Sequence, residues 1–223
     1  MPRVQRVDVA NEIYHVINRA NARVRIFDSI QDYMAFEAIL GEAVKKFDMR
    51  LLAYCIMPNH WHLVLQPKQD GDLSKFMGWM TNTHTRRWHT SKESIGHGHL
   101  YQGRYKSFIC QDNYHFLALV RYVESNARRA QLVTKSEMWS WGSAWRRLHG
   151  TSDQKKILSS WPVAMPSDYI KFVNEVQNEK EIERIRGSVV KNIPFGTDSW
   201  RTGVVEKFKL GQTLRHVGRP KKQ

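Results

Sequence analysis

Apolar and polar positions change period several times along the chain, and each change marks an element. Residues 12–18, EIYHVIN, read as a strand. SIQDYMAFEAILGEAVKKF then places Phe36, Ile39, Leu40, Ala43, Val44 and Phe47 at helical spacing, with Ser29 or Asp28 available as N-cap. LLAYCIM (51–57) and HWHLVLQ (60–66) are two strands joined by a tight Pro58-Asn59 turn. DLSKFMGWMTNTHTRRW returns to the helical period and carries Leu73, Phe76, Met77 and Met80 on its apolar side. SIGHGHLYQG (94–103) is a loop and RYKSFICQ (104–111) a fourth strand. NYHFLALVRYVESNARRA (113–130) is one further helix, capped by Asp112 or Asn113.

The order β-α-β-β-α-β-α predicts an α+β fold. Its core is a ferredoxin-like βαββαβ unit, a four-stranded antiparallel sheet with helices packed on one face, and a helix follows the fourth strand. MWSWGSAWRRLHG is Trp-rich and irregular, 153–187 is polar and mostly helical, and LRHVGRPKKQ is a basic tail. The expected division is a main domain over 1–150, a helical extension over 151–215 and a disordered tail over 216–223. No internal repeat is visible.

A hydrophobic fraction of 41% in 223 residues is enough to bury a core. No apolar run approaches the ~20 residues of a membrane span, and MPRVQRVDVANE lacks an apolar signal segment. Cys55 and Cys110 sit in apolar strand-like runs, which reads as small buried hydrophobes in a reducing compartment. A cytoplasmic protein without a membrane partner is expected. Charge changes the picture more. Lys and Arg number 35 against 21 Asp and Glu, a formal +14. Neutralising phosphates releases condensed counterions, so this excess favours a polyanion. A membrane-surface protein would concentrate its cations in one amphipathic helix, whereas here the arginines are spread along the chain. Nucleic acid is the expected partner, and the nucleoid the expected location.

His60 and His62 flank Trp61 in IMPNHWHLVL. Strand alternation points both imidazoles to one face, about 6.6 Å apart along the backbone, and turns Trp61, Leu63 and Leu65 to the other, better core face. Two such histidines can close on one metal ion. They can equally be a partly exposed pair on a sheet surface, because a bare H-x-H is common. In VRYVESNARRA, Tyr122 and Asn126 share a helix face, and Arg121, Arg128 and Arg129 surround them. A helix so basic around one tyrosine suits a bound phosphate. A boundary tyrosine and an asparagine near a helix end account for the same residues without chemistry.

Taken in order, YHVINRAN, AYCIMPNHWHLVLQP, LYQGRYKSF, RYVESNARRA and WSWGSAW resemble the single-tyrosine HUH transposases, and within them the REP-associated tyrosine transposases. The resemblance covers about residues 10–147. It implies a ferredoxin-like fold, cleavage of single-stranded DNA near a hairpin, and a divalent cofactor, Mg²⁺ or Mn²⁺. Carried over residue by residue, it makes His60 and His62 metal ligands, Tyr122 the nucleophile and Asn126 the third ligand. The usual N-P after the tyrosine reads Asn126-Ala127 here, and small mobile-element members carry glutamine where this chain has Asn126. The resemblance further implies a 5′-phosphotyrosine intermediate and a protein working as a monomer, whereas insertion-sequence relatives pair as dimers.

Candidate DNA contacts are Arg19, Arg86, Arg87, Arg104, Lys106, Arg121, Arg128 and Arg129. The GRPKK of the tail, with Arg219 and Lys221, resembles a minor-groove hook. Two other readings stay open. One is a hairpin-binding regulator of the same fold that has lost turnover. The other is a metal-dependent phosphodiesterase that uses water and leaves Tyr122 idle. The second H-x-H, His97 and His99, reads as part of a flexible glycine-rich loop.

Overall fold

The computed structural model describes residues 6–96 and 98–214. Four strands, β1 (Ile13–Arg19), β2 (Arg50–Met57), β3 (His60–Gln66) and β4 (Lys106–Cys110), form one sheet in the order β2-β3-β1-β4. All neighbouring pairs run antiparallel. Helices α1 (Ile30–Lys46) and α2 (Asp72–Ser91) occupy the two crossovers, completing the expected βαββαβ core.

The predicted caps are in place. Ser29 accepts from the Asp32 N–H while the Asp32 carboxylate accepts from the Ser29 N–H, a capping box that starts α1. Asn113 caps the helix after β4 by accepting from the His115 N–H. The Pro58-Asn59 turn makes a two-residue hairpin, since Met57 and His60 face each other across it. Its carbonyls are tied to the preceding loop: Pro58 O accepts from the N–H groups of Ile26 and Phe27, and Asn59 O from that of Ala20. The start of β3, where His60 sits, is therefore fixed from both sides.

The two helices of the βαββαβ unit pack on one face as expected, and the other face is covered as well. Tyr33, Phe36, Ile39 and Leu40 of α1 join Leu73, Phe76 and Met80 of α2 against Tyr14, Val16, Trp61, Leu63 and Leu65, so both crossover helices do share a face. The opposite face is also a core. Helix α3 (Tyr114–Glu124) lays Phe116, Leu119, Val120 and Val123 on Ile13, Ala53, Cys55, Val64, Phe108 and Cys110. The physical reason is in β2, where Leu51–Met57 is buried at every position. A strand apolar on both sides needs a cover on both.

The extension supplies the rest of that cover. Short helices α5 (Ser143–His149), α6 (Ser152–Lys155) and α7 (Tyr169–Asn174) lead to α8 (Glu179–Lys191) and α9 (Asp198–Lys207). Trp161, Tyr169, Ile182, Ile185 and Phe195 enter the α3 core, while Val204, Val205 and Leu210 enter the other.

Both sheet edges are closed by this later part of the chain. Along β2, Ile56 N–H donates to Trp141 O, Trp139 Nε1 to Ile56 O, Tyr54 N–H to Ser143 Oγ, and Trp161 Nε1 to Leu52 O. Along β4, Phe195 N–H donates to Ile109 O and Gln111 N–H to Phe195 O. The Trp-rich segment that read as irregular is thus an edge guard, occupying backbone groups that would otherwise pair with another chain. Gly196 beside it must be glycine, because a Cβ would lie 2.3 Å from the Trp200 ring.

Candidate active site

The site is built on the α3-facing side of the two central strands. Cross-strand pairing sets Ile17 and Cys55 on either side of His62, and Arg19 and Met57 on either side of His60. The two imidazole rings are 5.1 Å apart between centroids. Tyr122 reaches them from the last turn of α3, its ring 5.9 Å from that of His62 and perpendicular to it. His62 and Tyr122 are buried and His60 half-buried.

A third histidine completes the cluster, one that the sequence reading passed over. His15 on β1 is fully buried, and its Nε2 lies 2.8 Å from Nδ1 of His62. Its ring packs 4.9 Å from Phe108 and 6.5 Å from Tyr122. The available signal was parity: His15 shares its strand face with Ile13 and Ile17, where an apolar residue was due. Its own Nδ1 is buried without a hydrogen-bond partner among the described residues. On the other side, Nδ1 of His60 lies 2.7 Å from Asn59 Oδ1. Each histidine of the H-x-H pair thus has Nδ1 engaged, and Nε2 carries no protein hydrogen bond among the described residues.

Electrostatics keep the cluster neutral. Burial pushes His15 down to about 3 and His60 down to about 4, with the Arg19 charge adding to the effect on His60. His62 is held well below the usual histidine value, first by burial and then by His15 and His60. Neutral imidazoles are the form that binds metal. No group of three or more His, Cys, Asp or Glu side chains gathers in metal-holding geometry among the described residues. A third protein ligand among the described residues would therefore be an amide, carbonyl or hydroxyl oxygen.

Asn126 carries such an oxygen, and its place differs from expectation. The single helix read over 113–130 is broken at Ser125, so α3 ends at Glu124 and a short α4 runs Asn126–Arg129. The Ser125 hydroxyl donates back to Arg121 O at 2.6 Å, a side-chain bond that competes with the helical ladder at the bend. Asn126 is half-buried at the start of α4. The adjacent Ala127 packs in the same core as Cys55, which pairs directly with His62, so α4 lies against β2 beside the histidine row.

The charges around Tyr122 also fall differently from the sequence reading. Arg129 lies over the Tyr122 ring at 4.2 Å and donates to Tyr122 O and Ser125 Oγ. Arg121, adjacent in sequence, points away and pairs with Glu175 and Glu181. Arg128 donates to Glu175 O. Arg87 is bound through two nitrogens to Glu42. Arg86, Arg104 and Lys106 are exposed and line one groove, while Arg19 is half-buried beside His60. Arg219, Lys221 and His97 lie outside the described residues, and His99 is exposed on the groove.

Two neutral imidazoles and a phenol with a guanidinium on its ring thus stand together on one face of the sheet. Comparison with known proteins places the chain. Residues 8–126, just over half of the chain, match the family described as "Transposase IS200 like", and the chain belongs to that family. It is a transposase of the HUH tyrosine type. Among solved structures, a REP-associated tyrosine transposase bound to a REP hairpin aligns with a TM-score of 0.56 at 14% identity, over 75% of this chain and 96% of that one, and so has the same fold. A putative transposase from Deinococcus radiodurans aligns at 0.40 and 18% identity, over 56% of this chain and 95% of that one. The tRNA(His) guanylyltransferase of Saccharomyces cerevisiae aligns at 0.43 and 11% identity, over 69% and 80%. No curated protein sequence matches. No helix among the described residues is long and apolar enough to cross a membrane.

Proposed function

We propose that the chain is a REP-associated transposase: it recognises hairpin DNA of REP type, cuts an adjoining single strand through Tyr122, and rejoins strands by the reverse step. The observation that carries this reading is the approach of the Tyr122 ring to within 5.9 Å of His62, which itself lies 5.1 Å from His60. A buried tyrosine serving only as packing has no need of two histidines with free nitrogens beside it. The likeness in fold to a hairpin-bound transposase supports the choice of substrate.

A divalent cation, Mg²⁺ or Mn²⁺, would be held by Nε2 of His60, Nε2 of His62 and the amide oxygen of Asn126, neutral N and O donors suited to such an ion. When bound, such an ion neutralises phosphodiester charge and acts as a Lewis acid at phosphorus. The protein's own work is positional. His15 accepts the Nδ1–H of His62 and thereby commits Nε2 of His62 to the ion. Asn59 does the same for His60 by accepting from its Nδ1–H. Such outer partners fix ring orientation and tautomer.

Tyr122 then attacks phosphorus through Oη. The Oη–P bond forms as the P–O3′ bond breaks, and the proton lost by the phenol balances the one gained by the departing 3′ oxygen. The products are a 5′-phosphotyrosine and a free 3′-hydroxyl. One phosphoester replaces another, so religation needs no outside energy source. Arg129, above the ring, compensates the negative charge that passes through the phenol oxygen.

Incubation with hairpin DNA carrying a single-stranded flank and Mn²⁺ should yield a covalent protein–DNA species on a denaturing gel. Tyr122→Phe should abolish it and leave hairpin affinity nearly unchanged. Cleavage by the Phe variant would assign the attack to water and leave Tyr122 idle; tight binding without any cleavage by the wild type would support the regulatory alternative.

A further inference from the structure

Arg129 ends the short helix α4 and is half-buried, with its guanidinium 4.2 Å above the Tyr122 ring. Building on the reading of Tyr122 as the nucleophile, we propose that the Nε–Nη2 edge of this guanidinium closes on a non-bridging oxygen of the scissile phosphate, which makes Arg129 a catalytic residue with its own contact to the reacting group.

The first support is what the guanidinium leaves unused. Nη1 donates to Tyr122 O at 2.7 Å and to Ser125 Oγ at 2.6 Å, which takes up both of its hydrogens. Ser125 Oγ gives its own hydrogen to Arg121 O, so it can only accept from Arg129. Nε and Nη2 of Arg129 donate to no protein group among the described residues, and they are not sealed away as Nε of Arg121 and Arg128 are. Arg146 shows what a purely structural guanidinium does: Nε goes to Tyr54 Oη, Nη1 to Gln154 O and Nη2 to Glu37. Arg129 is anchored by one nitrogen and keeps its side edge, two parallel N–H groups, for a ligand.

The second is charge. Arg121 pairs with Glu175 and Glu181, Arg147 with Glu124 and Arg186 with Glu179, whereas no carboxylate lies within ion-pair distance of Arg129 among the described residues. Burial lowers its pKa; Tyr122 and Cys55, negative only after losing a proton, oppose the fall, and the charges of Arg186 and Arg128 add to it. A half-buried cation without a counter-ion is a standing cost, and an anion arriving at Tyr122 removes it. With His15, His60 and His62 held neutral, Arg129 supplies fixed positive charge beside Tyr122 as Arg19 does beside His60.

The third is coupling to the nucleophile. Arg129 donates to the carbonyl of Tyr122 itself, so guanidinium and phenol move as one unit and keep their spacing through cleavage and rejoining. As the Tyr122 oxygen adds to phosphorus before the 3′ oxygen has left, negative charge builds on the non-bridging oxygens. Donors already aimed at that charge need no reorganisation when it appears, so the contact acts on rate more than on binding.

The test replaces one non-bridging oxygen at a time. Hairpin DNA with a single-stranded flank is made with a methylphosphonate at the phosphate that the wild type cuts. The two stereoisomers are separated, and adduct formation in Mn²⁺ is timed at saturating DNA. Arg129→Ala should slow adduct formation on the unmodified strand about 100-fold and leave hairpin affinity nearly unchanged. On the isomer whose methyl replaces the oxygen facing Arg129, wild type and Arg129→Ala should react at the same rate, because neither has an oxygen there to hold. Damage to the bend at Ser125 would instead slow the variant equally everywhere. A deficit of the same size on the unmodified strand and on both isomers would therefore overturn the proposal. Arg129→Lys keeps the charge and the stem over the ring without the side edge, and serves where alanine loosens α4. It should lose about tenfold on the unmodified strand and nothing on that isomer. A lysine variant as fast as wild type on every substrate would also overturn the proposal. A wild-type adduct with equal deficits in the variants sinks the Arg129 contact alone; no wild-type adduct sinks Tyr122 as nucleophile, and the contact with it.

Discussion

His84 stands between Phe27 and Phe36, with ring centroids at 5.4 and 4.8 Å, and accepts the Tyr101 hydroxyl on Nδ1 at 2.6 Å. The same hydroxyl accepts from Trp61 Nε1, so one short chain ties β3, α2 and the 98–105 loop together. Burial lowers His84 to about 3. The folded state therefore refuses a proton that the unfolded chain takes up below about pH 6.5, and stability is lost as pH falls from there toward 3. At 1.36 kcal/mol per unit, the interval from 6.5 down to pH 5 costs about 2 kcal/mol. Urea titrations at pH 7 and pH 5 should show wild type losing about that much more than His84→Gln. His15 poses a different question, because its proposed role is to orient a ligand. His15→Phe should lower Mn²⁺ affinity measured by calorimetry about 10- to 100-fold, with His15→Gln recovering part of it. Unchanged affinity in a folded Phe variant would reduce His15 to packing.

At the scale of elements, the break at Ser125 decides what the tyrosine helix can do, and Glu124 anchors that break. Its carboxylate is fully enclosed, accepting from Ser143 Oγ at 2.6 Å and Tyr169 Oη at 2.7 Å, with Arg147 at 3.8 Å. Burial raises its pKa, and the Arg147 charge together with the two hydroxyls opposes the rise. The carboxylate holds α3, α5 and α7 together two residues from Tyr122. Glu124→Ala would strand two hydroxyls and a guanidinium, and should destabilise the protein by about 3–5 kcal/mol in a denaturant titration. A loss below about 1 kcal/mol would show the anchor to be dispensable. The elements themselves were readable beforehand, because α1, α2 and the four strands have the periods their residues announce, and α1 and α3 also have their caps. The kink was not. It comes from a serine hydroxyl turned back on its own helix and an arginine four residues on, a choice that local propensity leaves open.

For the whole molecule, the extension belongs to the cores it completes. Without Trp161, Tyr169, Ile182, Ile185 and Phe195 the α3 face would lie open, and without Val204, Val205 and Leu210 the other core would be incomplete. The β4 edge would also lose Phe195, and the β2 edge the Ser159 N–H donated to Leu51 O, though it would keep Trp141. A chain ending at residue 150 should therefore aggregate or bind a hydrophobic dye, while one ending at residue 214 should unfold in a single cooperative transition. Cooperative unfolding of the shorter chain would return 1–150 to the status of a self-standing domain.

What the chain determined by itself was whatever depends on neighbours in sequence. Strand and helix order, the capping box at Ser29, the turn that aims His60 and the parity that pairs it with His62 all follow from spacings of a few residues, and these settle the ferredoxin-like core. Tertiary structure decided whatever depends on residues far apart: that the histidine face is a second core, that His15 stands behind His62, and that a tryptophan-rich loop guards an edge. Those contacts join positions 40 to more than 100 residues apart, and which of many buried partners meet there is set by packing, which no local period encodes.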